Sequence, residues 1–175
     1  KLMPNREQRE TLSKYFGCVR FIYNWGLEKK LKTHKECGKS IGYVQLAREL
    51  TLLKQQEEFE WLKEVDSLAL ANAQMNLQTA YNNFFRSPKI GFPKFKSKKS
   101  NRKSYTTNCV NGNISVENGY IKLPKVGFVK LKQHRQVLSD YKLKSVTVSQ
   151  TPSGKYYASV LFEYENQVQE KGPHN

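Results

Sequence analysis

Aspartate is nearly absent from this 175-residue chain: Asp66 and Asp140 are the only two. Hydrolysis of a phosphodiester by bound Mg²⁺ needs clustered carboxylates. The glutamates supply no such cluster, because Glu57, Glu58 and Glu60 precede an apolar helix as solvated charge. Cysteine is scarce as well. Cys18, Cys37 and Cys109 lie far apart with no C-x-x-C pair, which argues against a disulfide framework and a four-ligand zinc site. They read as reduced cytosolic cysteines. The histidines, His34, His134 and His174, are equally scattered. There is no Gly-rich phosphate loop and no Ser-His-Asp arrangement, and nothing here reads as a signal peptide or as an apolar run of about twenty residues to span a membrane. No active site or metal site is visible.

Positive charge is what the chain has in excess. Thirty Lys and Arg stand against 15 Asp and Glu, a net charge of +15, in a chain that is 38% hydrophobic and 12% aromatic. The apolar content suffices for a core. A charge this large opposes compaction unless a polyanion neutralises it, and a phosphate backbone is the usual partner.

The chain changes character near residue 88. Up to Pro88 there are 14 basic and 10 acidic residues; from Lys89 onward the counts are 16 and 5. Periodicity changes at the same place, from helical to strand-like. Asn5, with Gln8 three residues later, reads as a capping box. Leu12, Phe16, Val19, Ile22 and Tyr23 recur at helical spacing. Gly17 is expected to separate two helices, the second ending near Gly38. A further helix is expected over Tyr43 to Gln56. Another, capped by Asp66 or Ser67, carries a core stripe through Leu68, Leu70, Ala71, Met75, Leu77, Tyr81, Phe84 and Phe85.

Beyond residue 88, Asn118-Gly119 between Ile114-Ser-Val and Tyr120-Ile-Lys-Leu signals a hairpin. Val126 to Leu131 alternates apolar and basic residues. Leu143 to Ser149 and Tyr156 to Tyr164 bracket a second hairpin at Thr151-Pro-Ser-Gly154, and a short helical turn is expected near Arg135 to Tyr141. The fold class expected is α+β, a helical bundle with a small antiparallel β-barrel.

Lys94, Lys96, Lys98, Lys99, Arg102 and Lys103 put six positive charges into ten residues. Like charges this close keep a segment extended until an anion fills it, so the run reads as a phosphate clamp, or failing that a solvated linker. Lys130 and Lys132 extend the backbone-binding set on the strands behind it, where Lys122 and Lys125 also lie. Tyr105, Thr106, Thr107, Asn108 and Asn111 carry hydroxyls and amides suited to bases or phosphates, or equally to ordinary strand and turn positions.

Several segments together resemble a known family. Leu2-Met-Pro-Asn5 and Phe16-Gly-Cys-Val-Arg-Phe-Ile-Tyr-Asn24 are similar to the opening of the TnpB (OrfB) proteins of bacterial insertion sequences. Leu50-Thr-Leu-Leu-Lys54, Trp61-Leu-Lys-Glu-Val-Asp66, Ala80-Tyr-Asn-Asn-Phe-Phe85 and Gly91-Phe-Pro-Lys-Phe-Lys96 continue the resemblance. So do Ser104-Tyr-Thr-Thr107, Ile121-Lys-Leu-Pro-Lys125 and Ser153-Gly-Lys-Tyr-Tyr157. Nearly the whole chain is covered, in order.

The resemblance implies RNA-guided DNA endonucleases related to the compact type V CRISPR effectors. Residues 5–88 would be a helical recognition domain inserted into an OB-like wedge barrel, with residues 1–4 as a first strand end and 89–167 as the rest. Residues 168–175 would lead toward a RuvC-like nuclease domain, expected just after Glu165, whose Mg and Zn would belong beyond this chain. Both ends read as cut from something longer. The partners implied are a transposon-derived guide RNA and double-stranded target DNA in a bacterial cytoplasm, associated with the nucleoid when DNA is bound.

Tyr43, Ser67, Ala71, Val110 and Asn111 align with the family's surface for the DNA motif beside the target. Short Ser67 and apolar Ala71 stand where relatives carry long polar side chains, which implies a different motif. Two other readings remain: a DNA-only helix-turn-helix transposase accessory module, with the first helices in the major groove, and a structural RNA-binding protein recognising RNA shape.

Overall fold

A computed structural model describes residues 1–99, 102–132 and 141–164. The chain begins with a two-residue strand, β1 (Leu2–Met3), followed by α1 (Arg6–Cys37), α2 (Tyr43–Gln55), a 3-10 segment (Glu57–Glu64) and α3 (Ser67–Arg86). Six further strands follow: β2 (Lys103–Asn108), β3 (Ser115–Glu117), β4 (Tyr120–Leu123), β5 (Gly127–Leu131), β6 (Tyr141–Gln150) and β7 (Tyr156–Tyr164).

Local chemistry sets most boundaries. The Asn5 side chain accepts from the Gln8 N–H at 2.9 Å while the Gln8 side chain accepts from the Asn5 N–H at 2.9 Å, closing the capping box. Gly38, at φ 67°, ends α1 in the left-handed conformation that glycine adopts without strain. Asp66, rather than Ser67, caps α3.

Gly17 does not break the helix. α1 runs unbroken for 32 residues, about 48 Å. One mid-helix glycine costs about 1 kcal/mol. The burial of Leu12, Tyr15, Phe16, Cys18 and Ile22 on both sides of it outweighs that. No atom outside the local helix lies within 4 Å of where a Gly17 Cβ would stand. Gly17→Ala is therefore expected to stabilise the fold by about 0.5–1 kcal/mol, read as a raised midpoint in chemical denaturation. A loss of stability would place a turn at Gly17 after all. Gly26 is the opposite case: its Cβ would stand 2.8 Å from Leu77 Cδ2, so the glycine lets α3 approach α1 closely.

The strands form one antiparallel sheet in the order β2-β6-β7-β1-β5-β4-β3. The hairpin between β3 and β4 has Asn118 at φ 53° and Gly119 at φ 78°, the two positive values a tight primed turn needs. β1 joins the two halves of the sheet: Leu2 pairs with Leu131 of β5 on one side and Tyr156 of β7 on the other.

The sheet does not close into a barrel, contrary to the sequence expectation. Its edge strands β2 and β3 are not paired with each other. They are nonetheless consecutive in sequence, and seven Cα steps from Asn108 to Ser115 reach at most about 25 Å. A flat sheet would separate its edges by about 29 Å, so the sheet must curl. Contacts from α3 occupy the end of β2: Asn72 Nδ2 donates to Asn108 Oδ1 at 2.6 Å, and Thr107 Oγ1 donates to Asp66 Oδ1 at 3.0 Å.

Helices and sheet share one core. Tyr15 of α1 stacks on Tyr105 of β2 with ring centroids 4.3 Å apart, amid Leu12, Phe16, Leu70, Ile121, Val129, Val146 and Val148. The stripe expected on α3 is only partly core, since Met75 and Phe85 are exposed. The short turn expected near Arg135 lies outside the described residues, apart from Tyr141, which opens β6.

Candidate nucleic-acid interface

The buried side of α1 holds the sheet. A neighbouring face carries Val19, Arg20, Tyr23 and Asn24, and the basic segment crosses it. Asn24 fixes the crossing point: its Oδ1 accepts from the Lys96 N–H at 2.7 Å and its Nδ2 donates to the Lys96 carbonyl at 2.9 Å. Both backbone groups of Lys96 are thus satisfied by one amide, as a neighbouring strand would do it. The Lys96 ammonium lies 4.3 Å from the Tyr23 ring centroid, within cation–π range. Lys96 as a residue stays exposed, but the ammonium is desolvated enough there to lower its pKa.

The pinned segment, α1 and the start of β2 enclose a groove of about 390 Å³. Phe16 and Val19 form its apolar floor. Arg20, Lys96, Lys98, Arg102 and Lys103 line it together with Ser97 and Ser104, and no carboxylate is among these residues. Beyond Lys96 a narrower cleft continues past Asn76, Ser104 and Thr106. Five cations lining one groove, with no carboxylate among its described lining residues, make a strongly positive channel.

The sequence-predicted site residues separate into groups. Lys96, Lys98, Arg102 and Lys103 come together in the groove, and exposed Lys94 and Lys99 belong to the same crossing segment. Lys130 and Lys132 do not join them. They are exposed at the end of β5, with β6, β7 and β1 between that strand and β2.

Tyr105 and Thr107 point inward instead of toward a ligand. Alternation along β2 buries both, Thr107 completely, so they hold the core rather than contact nucleic acid. Burial raises the Tyr105 pKa well above that of an ordinary phenol. Asn108 is half-buried and occupied by Asn72.

Ser67 and Ala71 sit one turn apart on α3, and Asn72, next to Ala71, holds Asn108 at the mouth of the loop carrying exposed Val110 and Asn111. Asn111 takes φ 53° there, and the Val110 N–H donates to Asn113 Oδ1 at 2.7 Å. The Asn72–Asn108 bond thus sets the start of α3 beside the loop that follows β2. Tyr43 stands apart in the first turn of α2. That helix is tied to α3 through Gln74, whose Nε2 donates to the Leu46 carbonyl at 3.0 Å.

Sequence reading missed Arg20, Asn24 and Asn76 as parts of the interface. The available signal was a polar residue beside the apolar helix stripe, as Arg20 and Asn24 follow Val19 and Tyr23.

Residues 1–39 match a family model described as a helix-turn-helix domain, that of OrfB (IS605) proteins. Over 166 residues the chain is 34% identical to a Streptomyces pristinaespiralis protein provisionally named RNA-guided DNA endonuclease, covering 93% of this chain and 40% of the relative. It is also 34% identical over 165 residues to Escherichia coli K12 InsQ, which carries the same provisional name, covering 94% and 40%. Virulence protein VsdF of Salmonella dublin is 35% identical over 106 residues, 55% of this chain and 88% of that protein. This chain belongs to the TnpB (OrfB) family.

The chain spans about two fifths of the length of the first two relatives. The TnpB segment described as helix-turn-helix here contains a short strand and one uninterrupted helix, with no turn between two helices. Among the described residues no helix is long and apolar enough to cross a membrane, and no group of three His, Cys, Asp or Glu gathers as metal ligands.

Proposed function

We propose that this chain is the nucleic-acid-holding part of an RNA-guided DNA endonuclease, with α1 to α3 as its recognition domain and the curled sheet as its OB-like wedge. The observation that carries the reading is the groove: five cations on an apolar floor, with no carboxylate among its described lining residues, pinned in place by Asn24. Polyanion binding there neutralises the cations and releases counterions, which makes affinity strongly salt-dependent. Names borne by two relatives supply the RNA-guided part of the proposal. In such a system base pairing between guide and target reads sequence, while protein reads only a short adjacent motif.

The groove would then hold the backbone of guide RNA or guide–target heteroduplex. The start of α3, with Ser67 and Ala71, and the loop carrying Val110 and Asn111 would face the adjacent motif, with Tyr43 apart from them on α2. Ala71 offers no hydrogen bond and Ser67 only a short one, so base reading would fall chiefly to Asn111 and Tyr43. Mg²⁺ and Zn²⁺ chemistry would reside outside the described residues, where a RuvC-like domain would follow.

A DNA-only helix-turn-helix module fits less well, because unbroken α1 offers no separate recognition helix. The reading is tested by purifying the chain with its flanking locus and sequencing the nucleic acid that accompanies it. One discrete RNA mapping beside the gene is expected. DNA fragments without RNA would favour the accessory module. A tightly bound RNA that never captures matching DNA would favour a structural RNA-binding protein.

A further inference from the structure

The sheet has a second face, turned away from the helices, that the groove does not use. Leu2, Ile121, Leu123, Val129 and Tyr156 point into the core, so their neighbours point out. Met3, Tyr120, Phe128 and Tyr157 are 52%, 43%, 56% and 38% exposed. Strand register places lysines between them. Lys130 pairs with Met3 on one side and Tyr120 on the other, and in the adjacent row Lys122 pairs with Phe128 and with Ser115. Rows two residues apart along a strand are about 6.7 Å apart. The result is a checkerboard of rings and ammonium groups, with Lys132 at its rim and Glu117 at the far edge beyond Tyr120.

Apolar rings exposed at this density call for a partner. Protein interfaces are depleted in lysine at their centres, whereas Lys122 and Lys130 stand at the centre of this face. Nucleotides suit both elements, since a base stacks on a ring and a phosphate meets an ammonium. A duplex does not qualify, because its base faces are already stacked within the helix. The Tyr120 phenol and Ser115 hydroxyl add groups able to bond a ribose 2′-hydroxyl.

We propose that the outer sheet face, centred on Tyr120, Phe128, Lys122 and Lys130, stacks unpaired RNA nucleotides. This inference rests on the nucleic-acid reading above and adds a second site to it, one specific for unpaired bases.

The test uses the full 175-residue chain with three fluorescein-labelled probes: a 12-nucleotide unstructured RNA, the same sequence as DNA, and an RNA duplex. The double variant Tyr120→Ala/Phe128→Ala is expected to weaken binding of the unpaired RNA at least tenfold and duplex binding less than twofold. The ring-keeping variant Tyr120→Phe/Phe128→Tyr is expected to restore most of the loss. In Phe128→Trp, the added tryptophan fluorescence is expected to be quenched by the unpaired RNA and not by the duplex.

Unchanged RNA affinity in the double variant, an equal loss for the duplex, or tighter binding of the single-stranded DNA would overturn the proposal. So would a double variant that gains solubility while binding RNA as before, which would mark a face covered by protein. A parent chain that binds none of the probes would instead remove the nucleic-acid reading itself. Binding that depends on the groove but ignores Tyr120 and Phe128 would remove this inference alone.

Discussion

Neutralising Arg20, Lys98 and Lys103 together, each to Gln, is expected to weaken nucleic-acid binding by about 150-fold at 0.15 M salt. The figure follows from counterion release: each phosphate that is no longer neutralised lowers the slope of log K against log[salt] by about 0.9, so three such phosphates lower it by about 2.7. These three side chains line the groove from α1, the pinned segment and β2. Lys96 is left out because replacing it would also disturb its packing on Tyr23. The matched control is Lys32, Lys35 and Lys39 to Gln, which removes the same charge from the C-terminal end of α1 and the turn after it. Filter binding across a salt series separates the two variants. If both flatten the slope equally, overall charge and not the groove governs binding.

Asp66→Ala is expected to have the largest effect on stability, about 2–4 kcal/mol. Asp66 is buried and accepts from three groups: the Ala69 N–H at 3.0 Å as the cap of α3, Thr107 Oγ1 at 3.0 Å, and the Tyr15 hydroxyl at 3.0 Å. Its own N–H donates to the Tyr15 oxygen at 3.1 Å. The Tyr15 proton is shared with the Pro124 carbonyl at 2.6 Å, so one carboxylate ties α1, α3, β2 and the turn after β4 together. Burial, with the Asp66 charge adding to it, pushes the Tyr15 hydroxyl far above the ordinary phenol range, so it stays protonated and able to donate.

Losing the cap costs about 1 kcal/mol, and leaving the buried Thr107 hydroxyl short of an acceptor costs about 1–3 kcal/mol more, while the Tyr15 proton keeps the Pro124 carbonyl. Thermal unfolding followed by circular dichroism should show the midpoint fall by about 10 °C. Asp66→Asn keeps an acceptor oxygen for the cap and should lose about half as much. A fall of only one or two degrees in Asp66→Ala would mean that the network contributes little.

What is legible in the sequence is local. Asn5 and Gln8 are three residues apart, Asn118-Gly119 is a two-residue signal, and Asp66 caps a helix whose first turn it precedes. Chemistry at that range does not depend on the rest of the fold. The differences between expectation and structure share another cause. Intrinsic propensity predicts a break at Gly17, but tertiary burial on both sides of it decides the helix. Tyr105 and Thr107 carry polar groups, yet strand alternation puts them in the core, where Asp66 engages Thr107 across 41 positions. The groove depends on Asn24 meeting Lys96 across 72 positions, and no window of sequence contains both. Whether the sheet closes likewise depends on its edge strands β2 and β3, and no local pattern specifies that they stay unpaired.

The resemblance to TnpB proteins places the basic segment in a functional context, while the fold shows which of its lysines converge. Lys130 and Lys132, grouped with the groove by charge alone, belong to another surface with Tyr120 and Phe128 beside them.

The central claim is that nucleic acid lies in the groove that α1 forms with residues 96–98 and 102–104. Ultraviolet cross-linking of the chain to the nucleic acid that purifies with it, followed by mass spectrometry of the linked peptides, tests this most directly. Cross-links in the peptides containing Phe16 to Arg20 and Lys96 to Ser104 are predicted. Cross-links confined to the C-terminal end of α1 or to α2, with the groove peptides unmodified, would contradict it.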